Sequence, residues 1–425
     1  MNILIVSCEA WRDTNNGGNV LSNIFSNLTD ANIAQIYCSG ELPQNLVCKK
    51  YFQISDSMLL TSQKGRRLDE RYYRAGEGYH KKTMEENLKA RIPPIFREAS
   101  LLLREILWEM SQWKTHELNE FVLECKPDII FAPCYSYFHV SKLALYVQKI
   151  AKCPMISYIS DDNYSFKQFR FSPSFWINRI ITRKWIRKLF FASSLIYTMT
   201  QMQKNEYEQI FRKPMKVLCK SAVFSEPLPK SSTPIRFIYA GGLYLNRWKV
   251  LCALADVIKR VNCQKLNVQL HIFSASKLSK RVVAKLNDKT QTFLHNQIPY
   301  DELMEAYRDS DVALHVESFD LKNRLMTRLS FSTKIIDCLS SGCAVLAVGP
   351  RSQAGIAYLK ENDAAICIND LKDLEITIKE LVRCPDKISV YSKKAYRLGV
   401  TKHNQQEISE QIRQDFLEIV KKRNP

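Results

Sequence analysis

The sequence predicts an α/β protein of two domains, each built on a parallel β-sheet, and three observations lead to that prediction. The chain has 425 residues, of which 46% are apolar, so two or three domains with their own cores are expected. Apolar runs alternate with helical patterns over residues 3–200 and again over residues 236–347, and parallel strands need such crossover helices. A linker rich in proline and serine, residues 226–234, separates the two stretches. We therefore expect two Rossmann-like domains, residues 1–226 and 235–400, whose parallel sheets face a central cleft.

The alternation gives the order of the elements in each domain. In the first domain we expect strands at Ile3–Ser7, Ile33–Cys38, 127–132, Met155–Ile159 and Ser194–Thr200, and a helix from about Gly18 to Leu28. In the second we expect strands at Arg236–Ala240, Val268–Phe273, Val312–Val316 and Ala344–Ala347, and helices at Val250–Val261, Asp301–Arg308 and Thr333–Ser340. After Asp56 the alternation stops, and residues 60–120 predict a charged, aromatic-rich helical insertion that Pro93 and Pro94 divide. Residues 401–425 predict a helix that packs back on the first domain.

Charge and cysteine content narrow the classes of function. Lys and Arg number 62 against 43 Asp and Glu, a net charge of +19, which favours phosphorylated substrates or an anionic membrane face as partners. No signature of a nucleic-acid-binding module is present, so we expect no nucleic-acid partner. None of the 13 cysteines has C-x-x-C spacing, which predicts free thiols and no zinc site. The first residues lack a basic lead, so we expect no signal peptide, and the apolar runs are too short to span a bilayer.

Two glycine pairs follow predicted strands, where ligands bind in open parallel sheets. Gly17 and Gly18 precede a helix and would let backbone N–H groups approach an anion or a sugar. A plain strand-to-helix turn explains this pair equally well. The spacing is not G-x-G-x-x-G, so it gives no support to a nicotinamide site.

The second pair, Gly241 and Gly242, ends a strand of the second domain, and Arg247 and Lys249 follow it. The glycines open the backbone, and the two cations suit a diphosphate because positive charge stabilises a departing nucleotide. The alternative is that both basic side chains are simply solvated.

The strongest pattern lies further along the second domain. Glu317 follows a predicted strand, and Ser332 and Thr333 precede a helix whose N-terminus they would cap, with its free N–H groups on a phosphate. Lys334 adds a cation, and Asp337, one turn on, would accept hydrogen bonds from ribose hydroxyls. The alternative is a capped helix that packs on the sheet, with a solvated Asp337.

Two adjacent carboxylates, Asp161 and Asp162, follow a strand of the first domain. Either could orient an acceptor hydroxyl or assist proton transfer. An Asx-type turn that caps the next segment is the alternative.

The run S-F-S-T-K-I-I-D-C-L-S-S-G-C-A-V-L-A, residues 330–347, resembles the donor-site segment of GT-B glycosyltransferases. The likeness is greatest to bacterial enzymes related to glycosyltransferase family 4, also called group 1. Residues 239–249 resemble that family's glycine loop on the donor diphosphate, and residues 298–316 resemble the helix and strand before the donor site. The resemblance implies a GT-B fold that transfers a sugar from a UDP- or GDP-linked donor in the second domain to a glycan or lipid-linked acceptor in the first. It also implies a function in bacterial surface polysaccharide or glycoconjugate synthesis, with no cofactor and no metal ion.

The chain departs from this family at one position. The family often carries two glutamates eight positions apart, and here Leu329 takes the first position and Asp337 the second. Glu317 or Asp320 would have to supply the missing carboxylate. The departure keeps two alternatives open: a non-catalytic partner subunit of a glycosyltransferase, and a GT-B-like nucleotide-sugar epimerase.

Residues 166–190 contain seven Lys and Arg and no acid. As a helix, they would stack Arg179, Arg183 and Arg187 on one side, which suits a helix lying on an anionic bilayer. A helix that packs on the sheet with extended basic side chains is the alternative. The stretch Lys64–Lys82 adds positive charge that could cover an acceptor. These features predict a cytoplasmic protein with the inner face of the cell membrane as a candidate location.

Overall fold

The chain divides into two compact units, and each unit holds one β-sheet. The computed structural model describes residues 1–13, 16–68, 93, 96–227 and 233–422. Unit 1 comprises residues 1–166, 170–218 and 406–425, and unit 2 comprises residues 167–169 and 219–405. The predicted first domain ends at residue 226, which is eight residues beyond residue 218, where this part of unit 1 ends. The difference arises because the proline-rich linker falls inside unit 2 and not at the boundary between the units.

Unit 1 is built on a sheet that is parallel except at one edge. Its strands are β1 (Asn2–Ser7), β2 (Asn32–Tyr37), β3 (Lys50–Gln53), β4 (Arg66–Leu68), β5 (Ile129–Pro133), β6 (Met155–Ile159), β7 (Leu195–Thr198) and β8 (Lys216–Val217). Their order across the sheet is β4-β3-β2-β1-β5-β6-β7-β8. Only β3 and β4 pair antiparallel.

The helices of unit 1 in this part of the chain are α1 (Asn16–Phe25), α2 (Asp56–Leu60), α3 (Arg97–Met110), α4 (His116–Cys125), α5 (Phe138–Ala151), α6 (Pro173–Ala192) and α7 (Gln201–Phe211). Helix α6 shows why such helices begin where they do. The Ser172 hydroxyl accepts a hydrogen bond from the Phe175 N–H at 3.3 Å, and Pro173 occupies the first turn, where no N–H is needed.

Unit 2 holds an all-parallel sheet. Its strands are β9 (Ile235–Ala240), β10 (Val268–Phe273), β11 (Thr292–His295), β12 (Val312–Val316), β13 (Ala344–Val348) and β14 (Ile366–Ile368), in the order β11-β10-β9-β12-β13-β14. Every residue of β12 and β13 is buried, as expected of parallel strands whose two faces are both covered. Burying each large aliphatic side chain stabilises such a core by roughly 1.5–3 kcal/mol.

The helices of unit 2 are α8 (Arg247–Val261), α9 (Lys280–Leu286), α10 (Tyr300–Arg308), α11 (Leu321–Met326), α12 (Lys334–Ser340), α13 (Ala354–Glu361), α14 (Leu374–Arg383) and α15 (Asp386–Lys402). The last helix, α16 (Gln405–Lys421), packs with unit 1. The Tyr197 hydroxyl donates to the Asp415 carboxylate at 2.6 Å, and the Phe416 ring lies 6.2 Å from that of Phe25. None of the described helices combines the length and apolar character that crossing a bilayer requires.

In both sheets the strand order reverses beside the first strand. In unit 1, β1 lies between β2 and β5, and in unit 2, β9 lies between β10 and β12. Later strands therefore lie on both sides of this first strand, so the connections to them diverge. The divergence opens a crevice at the carboxyl end of the first strand. These two reversal points are where a parallel α/β sheet binds its ligands.

The predicted parallel architecture is confirmed, and the prediction is wrong in one region. After Asp56 we expected mostly helical structure and no strand, but β4 follows α2 and pairs with β3. Strand β4 is only Arg-Arg-Leu, and charged residues on a short edge strand hide the alternation that marks a strand. Within the predicted insertion, α3 and α4 are helical. Residues 69–92 and 94–95, which include most of the Lys64–Lys82 stretch, lie outside the described residues.

Candidate functional site

The reversal point of unit 2 gathers a glycine, a lysine and an ion pair at the ends of β9 and β12. Gly241 follows β9 with φ +139°, a conformation that side chains rarely adopt. A Cβ at this position would lie 1.8 Å from the Lys334 Nζ atom. Only glycine therefore allows Lys334 to reach the end of β9.

Lys334 is the predicted site residue with the most unusual surroundings. Its ammonium lies 5.4 Å over the Tyr239 ring and makes no hydrogen bond or direct ion pair with any residue that the structure describes. Burial, and then the charge of Arg247, lower the pKa of Lys334 to about 8. A buried ammonium without a carboxylate partner is costly in a folded protein. An anionic ligand would relieve that cost.

Arg247 and Glu317 form a buried ion pair beside Lys334. The Arg247 Nη2 atom donates to both Glu317 carboxylate oxygens, at 2.9 and 3.0 Å. Burial opposes the charge on the guanidinium, but the Glu317 carboxylate outweighs it, so the pKa of Arg247 is raised. The predicted cation on the diphosphate and the predicted catalytic carboxylate thus neutralise each other.

His315 is a residue of this site that sequence reasoning missed. It lies on β12 two residues before Glu317, fully buried, with Nε2 at 3.8 Å from a Glu317 oxygen. Burial, followed by the charges of Arg247 and Lys334, lowers the pKa of His315 to about 3. The imidazole is therefore neutral at physiological pH. Its Nε2 has no hydrogen-bond partner among the described residues. The sequence signal that could have indicated His315 is its position two residues before Glu317, which places both side chains on the same side of the strand.

Lys249 and Asp320 form a second, more exposed pair at the rim of the site. The Asp320 carboxylate accepts hydrogen bonds from Ser318 and Asn246 at 2.8 Å each and from Lys249 at 3.4 Å. The Ser318 hydroxyl is the largest of the contacts that lower the pKa of Asp320. Asp320 is thus engaged by Ser318 of its own loop and by residues at the start of α8, one of which is the predicted donor-site cation Lys249.

The N-terminus of α12 lacks the side-chain cap that the sequence predicts. Thr333 takes the cap position with helical backbone angles, and neither it nor Ser332 caps the helix through its hydroxyl, because that requires an extended residue there. Asp337, which we expected to bind ribose, accepts a hydrogen bond from Lys220 at 2.6 Å. Both side chains of this pair are largely buried. Gly342 follows the helix with φ +74°, as the sequence predicts for the residue after its end.

The first predicted glycine pair lies within helix α1 and does not form an open loop. A Cβ on Gly18 would lie 1.9 Å from the Arg12 carbonyl oxygen. Gly18 therefore lets the helix pack closely against the preceding segment, and its backbone is not presented to a ligand. Gly242 is also closely packed, since a Cβ there would meet the Tyr244 ring at 2.0 Å.

The two acceptor-side carboxylates have different surroundings. Asp162 is buried, and its carboxylate accepts hydrogen bonds from the Ser165 N–H at 2.9 Å, the Ser165 hydroxyl and the Tyr207 hydroxyl at 3.1 Å. These contacts match the Asx-type turn that the sequence offered as the alternative, and the catalytic function of Asp162 stays a prediction. Asp161 is exposed after the carboxyl end of β6, with its backbone oxygen held by Gln203 at 3.2 Å.

Unit 1 has a polar cluster at its own reversal point, which the sequence did not reveal. Arg104 and the Trp108 indole both donate to Asp56, at 2.7 to 2.9 Å. Beside them, His139 Nδ1 lies 2.8 Å from the buried Glu105 carboxylate. Burial lowers the pKa of His139 although Glu105 opposes the shift. Each charge in this cluster has its partner within the protein.

All thirteen cysteines are free thiols, as predicted. Among the residues that the structure describes, no three His, Cys, Asp or Glu side chains gather as metal ligands would.

Comparison with known proteins shows which family model and which folds this chain resembles. Residues 252–414 match the family model described as glycosyl transferase-like. HepE of Anabaena, solved in complex with UDP, has a TM-score of 0.62 at 12% identity, with 98% of this chain and 100% of that chain covered. An alpha,alpha-trehalose 6-phosphate synthase from Burkholderia multivorans has a TM-score of 0.58 at 12% identity, covering 100% and 98%. The pneumococcal O-GlcNAc transferase GtfA, solved with UDP and GlcNAc, has a TM-score of 0.51 at 11% identity, covering 72% and 60%.

A search of curated proteins found no significant sequence match. At identities this low, the structural matches establish the fold, which is GT-B as the sequence predicts. The second unit carries the glycosyl transferase-like region, so the predicted resemblance is confirmed.

Proposed function

We propose that this protein is a glycosyltransferase that binds a UDP- or GDP-linked sugar in unit 2 and transfers the sugar to a glycan or lipid-linked acceptor. The observation that carries the proposal is the partly buried ammonium of Lys334 against Gly241, at the strand-order reversal of unit 2, without a direct partner among the described residues. The solved structures with this fold include proteins bound to UDP, which supports a nucleotide as the ligand.

The chemistry follows from the charges at this point. When the bond between the sugar and the diphosphate breaks, negative charge grows on the leaving nucleotide, and an acceptor oxygen forms the new bond to the sugar. Lys334 would stabilise that charge where little water competes, and the open backbone at Gly241 would let the phosphates approach. The Arg247–Glu317 pair adds donors but no net charge. We propose Asp161 as the carboxylate that receives the acceptor proton.

Further parts of the proposal concern the setting. We propose that the reaction uses no cofactor or metal ion, and that the enzyme acts in the cytoplasm at the inner face of the cell membrane, in bacterial surface polysaccharide or glycoconjugate synthesis. The basic net charge of +19 supports an anionic membrane face and phosphorylated substrates.

A non-catalytic partner subunit is the second candidate, and a specific observation favours it. Leu329, at the place of the family's first glutamate, is fully buried. The two substitutes that the sequence offered, Glu317 and Asp320, are both engaged by other side chains. A subunit that binds the donor without turning it over would have such a site.

A panel of nucleotide sugars separates the two candidates. In thermal-shift assays one donor is expected to stabilise the chain, by about 2.7 kcal/mol at a hundred times its Kd. The same donor is then incubated with the protein, and released nucleotide is measured with and without lipid or glycan acceptors. Release above the buffer rate supports the transferase, binding without release supports the partner subunit, and no binding by any donor contradicts both.

A further inference from the structure

Helix α6 has an exposed face that carries apolar and basic side chains and no acid. Its exposed positions after the first turn recur three or four residues apart and so lie on one side of the helix. They are Ile177, Ile180, Lys184, Arg187, Lys188 and Phe191. The sequence contains no Asp or Glu between Asp162 and Glu206.

The orientation of α6 is set by its buried side. Arg179 is 7% exposed and donates to the Asp162 carbonyl at 3.0 Å, and Thr182, Ile186 and Leu189 are buried with it. Arg183 lies against the Tyr164 and Phe166 rings at 4.0 and 3.9 Å. The predicted outward row of Arg179, Arg183 and Arg187 is therefore wrong, because a carbonyl and two aromatic rings draw the first two inward.

Helix α3 lies beside α6 and adds an exposed apolar row. Leu103 is 66% exposed and Met110 is 81% exposed, with Ile106 between them. The starts of the two helices are joined by the ion pair of Arg170 with Glu98, at 3.4 Å.

Further along, Lys142 joins the two helices a second time. It pairs with Glu109 of α3 and lies 5.0 Å over the Trp185 ring of α6. The helices thus run side by side in the same direction. Their exposed rows form what we call the α3–α6 face, consisting of Leu103, Ile106 and Met110 together with the six exposed residues of α6.

We propose that the α3–α6 face docks unit 1 onto a bilayer surface that contains anionic lipids. The apolar side chains would enter the boundary between headgroups and acyl chains, and the lysines would reach the lipid phosphates. Helix α6 has 20 residues, so it presents about 30 Å of this surface.

Charge favours a bilayer over a protein partner for this face. Every ionised group on its α6 side is basic, and the chain as a whole carries +19. Glu109, the exposed acid of α3, is paired with Lys142. The inference deepens the proposed function, because a lipid-linked acceptor would be presented at such a surface, but the docking itself needs no donor.

Flotation of the full chain with vesicles tests the proposal. The vesicles are phosphatidylcholine, with or without phosphatidylglycerol. We expect binding to the phosphatidylglycerol vesicles at low salt, weakening at high salt as the charges are screened, and little binding to phosphatidylcholine alone. Absence of binding to the anionic vesicles at low salt would overturn the proposal.

Matched variants separate the face from the general charge of the protein. Lys184→Gln with Lys188→Gln should weaken binding about tenfold, since each lysine near the surface contributes to attraction. Lys265→Gln with Lys372→Gln changes the net charge equally at two exposed positions of unit 2 and should bind as the wild type does. Equal weakening by the two pairs would contradict docking through this face.

The apolar half of the face has its own test. Ile177→Ser with Ile180→Ser should weaken vesicle binding at every salt concentration and leave the melting temperature unchanged, because both side chains are exposed. A wild-type dimer that this variant converts to a monomer, without vesicle binding, would assign the face to a second copy of the chain and overturn the proposal.

Donor binding keeps the two proposals distinguishable. None of these variants touches the Lys334 site, so all should bind the nucleotide as the wild type does. A wild type that binds the nucleotide but does not bind the anionic vesicles contradicts the docking proposal alone. Vesicle binding kept with no nucleotide binding by the wild type contradicts the proposed function alone.

Discussion

The reversal points of the two sheets have the same topology but differ in how their charged side chains are paired. In unit 1, Arg104 is bonded to Asp56, and Glu105 is bonded to His139. In unit 2, the Arg247–Glu317 pair is likewise closed, but Lys334 beside it has no direct partner among the described residues. His315 is neutral and adds no charge to this site. The difference indicates an anion site in unit 2 and a self-contained polar framework in unit 1.

Replacing Lys334 is expected to have the largest effect on this contrast. Lys334→Met removes the cation of this site that has no direct partner among the described residues, and loss of a preorganised donor of this kind lowers turnover by about 10²–10³. Sugar transfer from the donor identified in the panel gives the measurement, with Lys265→Gln as the control. A rate of sugar transfer by Lys334→Met within threefold of the wild-type rate would contradict a functional difference between the two reversal points.

Breaking the closed pair of unit 2 should affect stability first. Glu317→Gln leaves the Arg247 charge buried without its partner, and removing one member of a buried ion pair costs about 3–5 kcal/mol. Urea unfolding followed by circular dichroism measures the loss. The double variant Arg247→Met with Glu317→Leu should recover part of it. If the single variant unfolds at the wild-type urea concentration, the pair has no structural role.

The two adjacent aspartates of unit 1 should separate stability from turnover. Asp162→Ala leaves the Ser165 N–H and the Tyr207 hydroxyl without their buried acceptor, at a cost of about 1–3 kcal/mol. Asp161→Ala, at an exposed position, should unfold like the wild type but lose turnover. Thermal unfolding and transfer rates of both variants decide the matter, and full activity in Asp161→Ala would exclude it as the acceptor-side base.

The pH dependence of nucleotide binding should show the smallest effect. Binding requires the protonated Lys334, and the protonated fraction falls as pH rises through the pKa of about 8. The Kd for the nucleotide should therefore increase above that pH, by at most about tenfold per unit. Lys334→Arg keeps its charge and should remove this dependence. A wild-type Kd that stays constant from neutral pH to well above the pKa would contradict a protonated Lys334 as the binding group.

The parallel architecture was predictable from the sequence, which also indicated Lys334 as a candidate cation. Alternation placed β10 and β12 at their observed bounds, and the resemblance in residues 330–347 drew attention to Lys334. What could not be predicted were contacts between distant residues. Lys220 reaches Asp337 across 117 positions, and Arg247 reaches Glu317 across 70.

The orientation of α6 shows the same limit. Basic and apolar residues alternate along it so closely that two orientations fit the sequence. The Asp162 carbonyl and the Tyr164 ring, which lie in the preceding loop, select one of them. A helical pattern therefore predicted the helix but not its exposed side.

The central claim is that unit 2 binds the anionic part of a nucleotide through Lys334. Calorimetric titration of the wild type, Lys334→Met and Lys265→Gln with UDP and with GDP tests it most directly. We expect one nucleotide to bind the wild type and Lys265→Gln equally well and to bind Lys334→Met about ten- to a hundredfold more weakly, as the loss of a hydrogen bond to a charged group costs. Equal affinity of that nucleotide for all three proteins, or no binding of either nucleotide to the wild type, would contradict it.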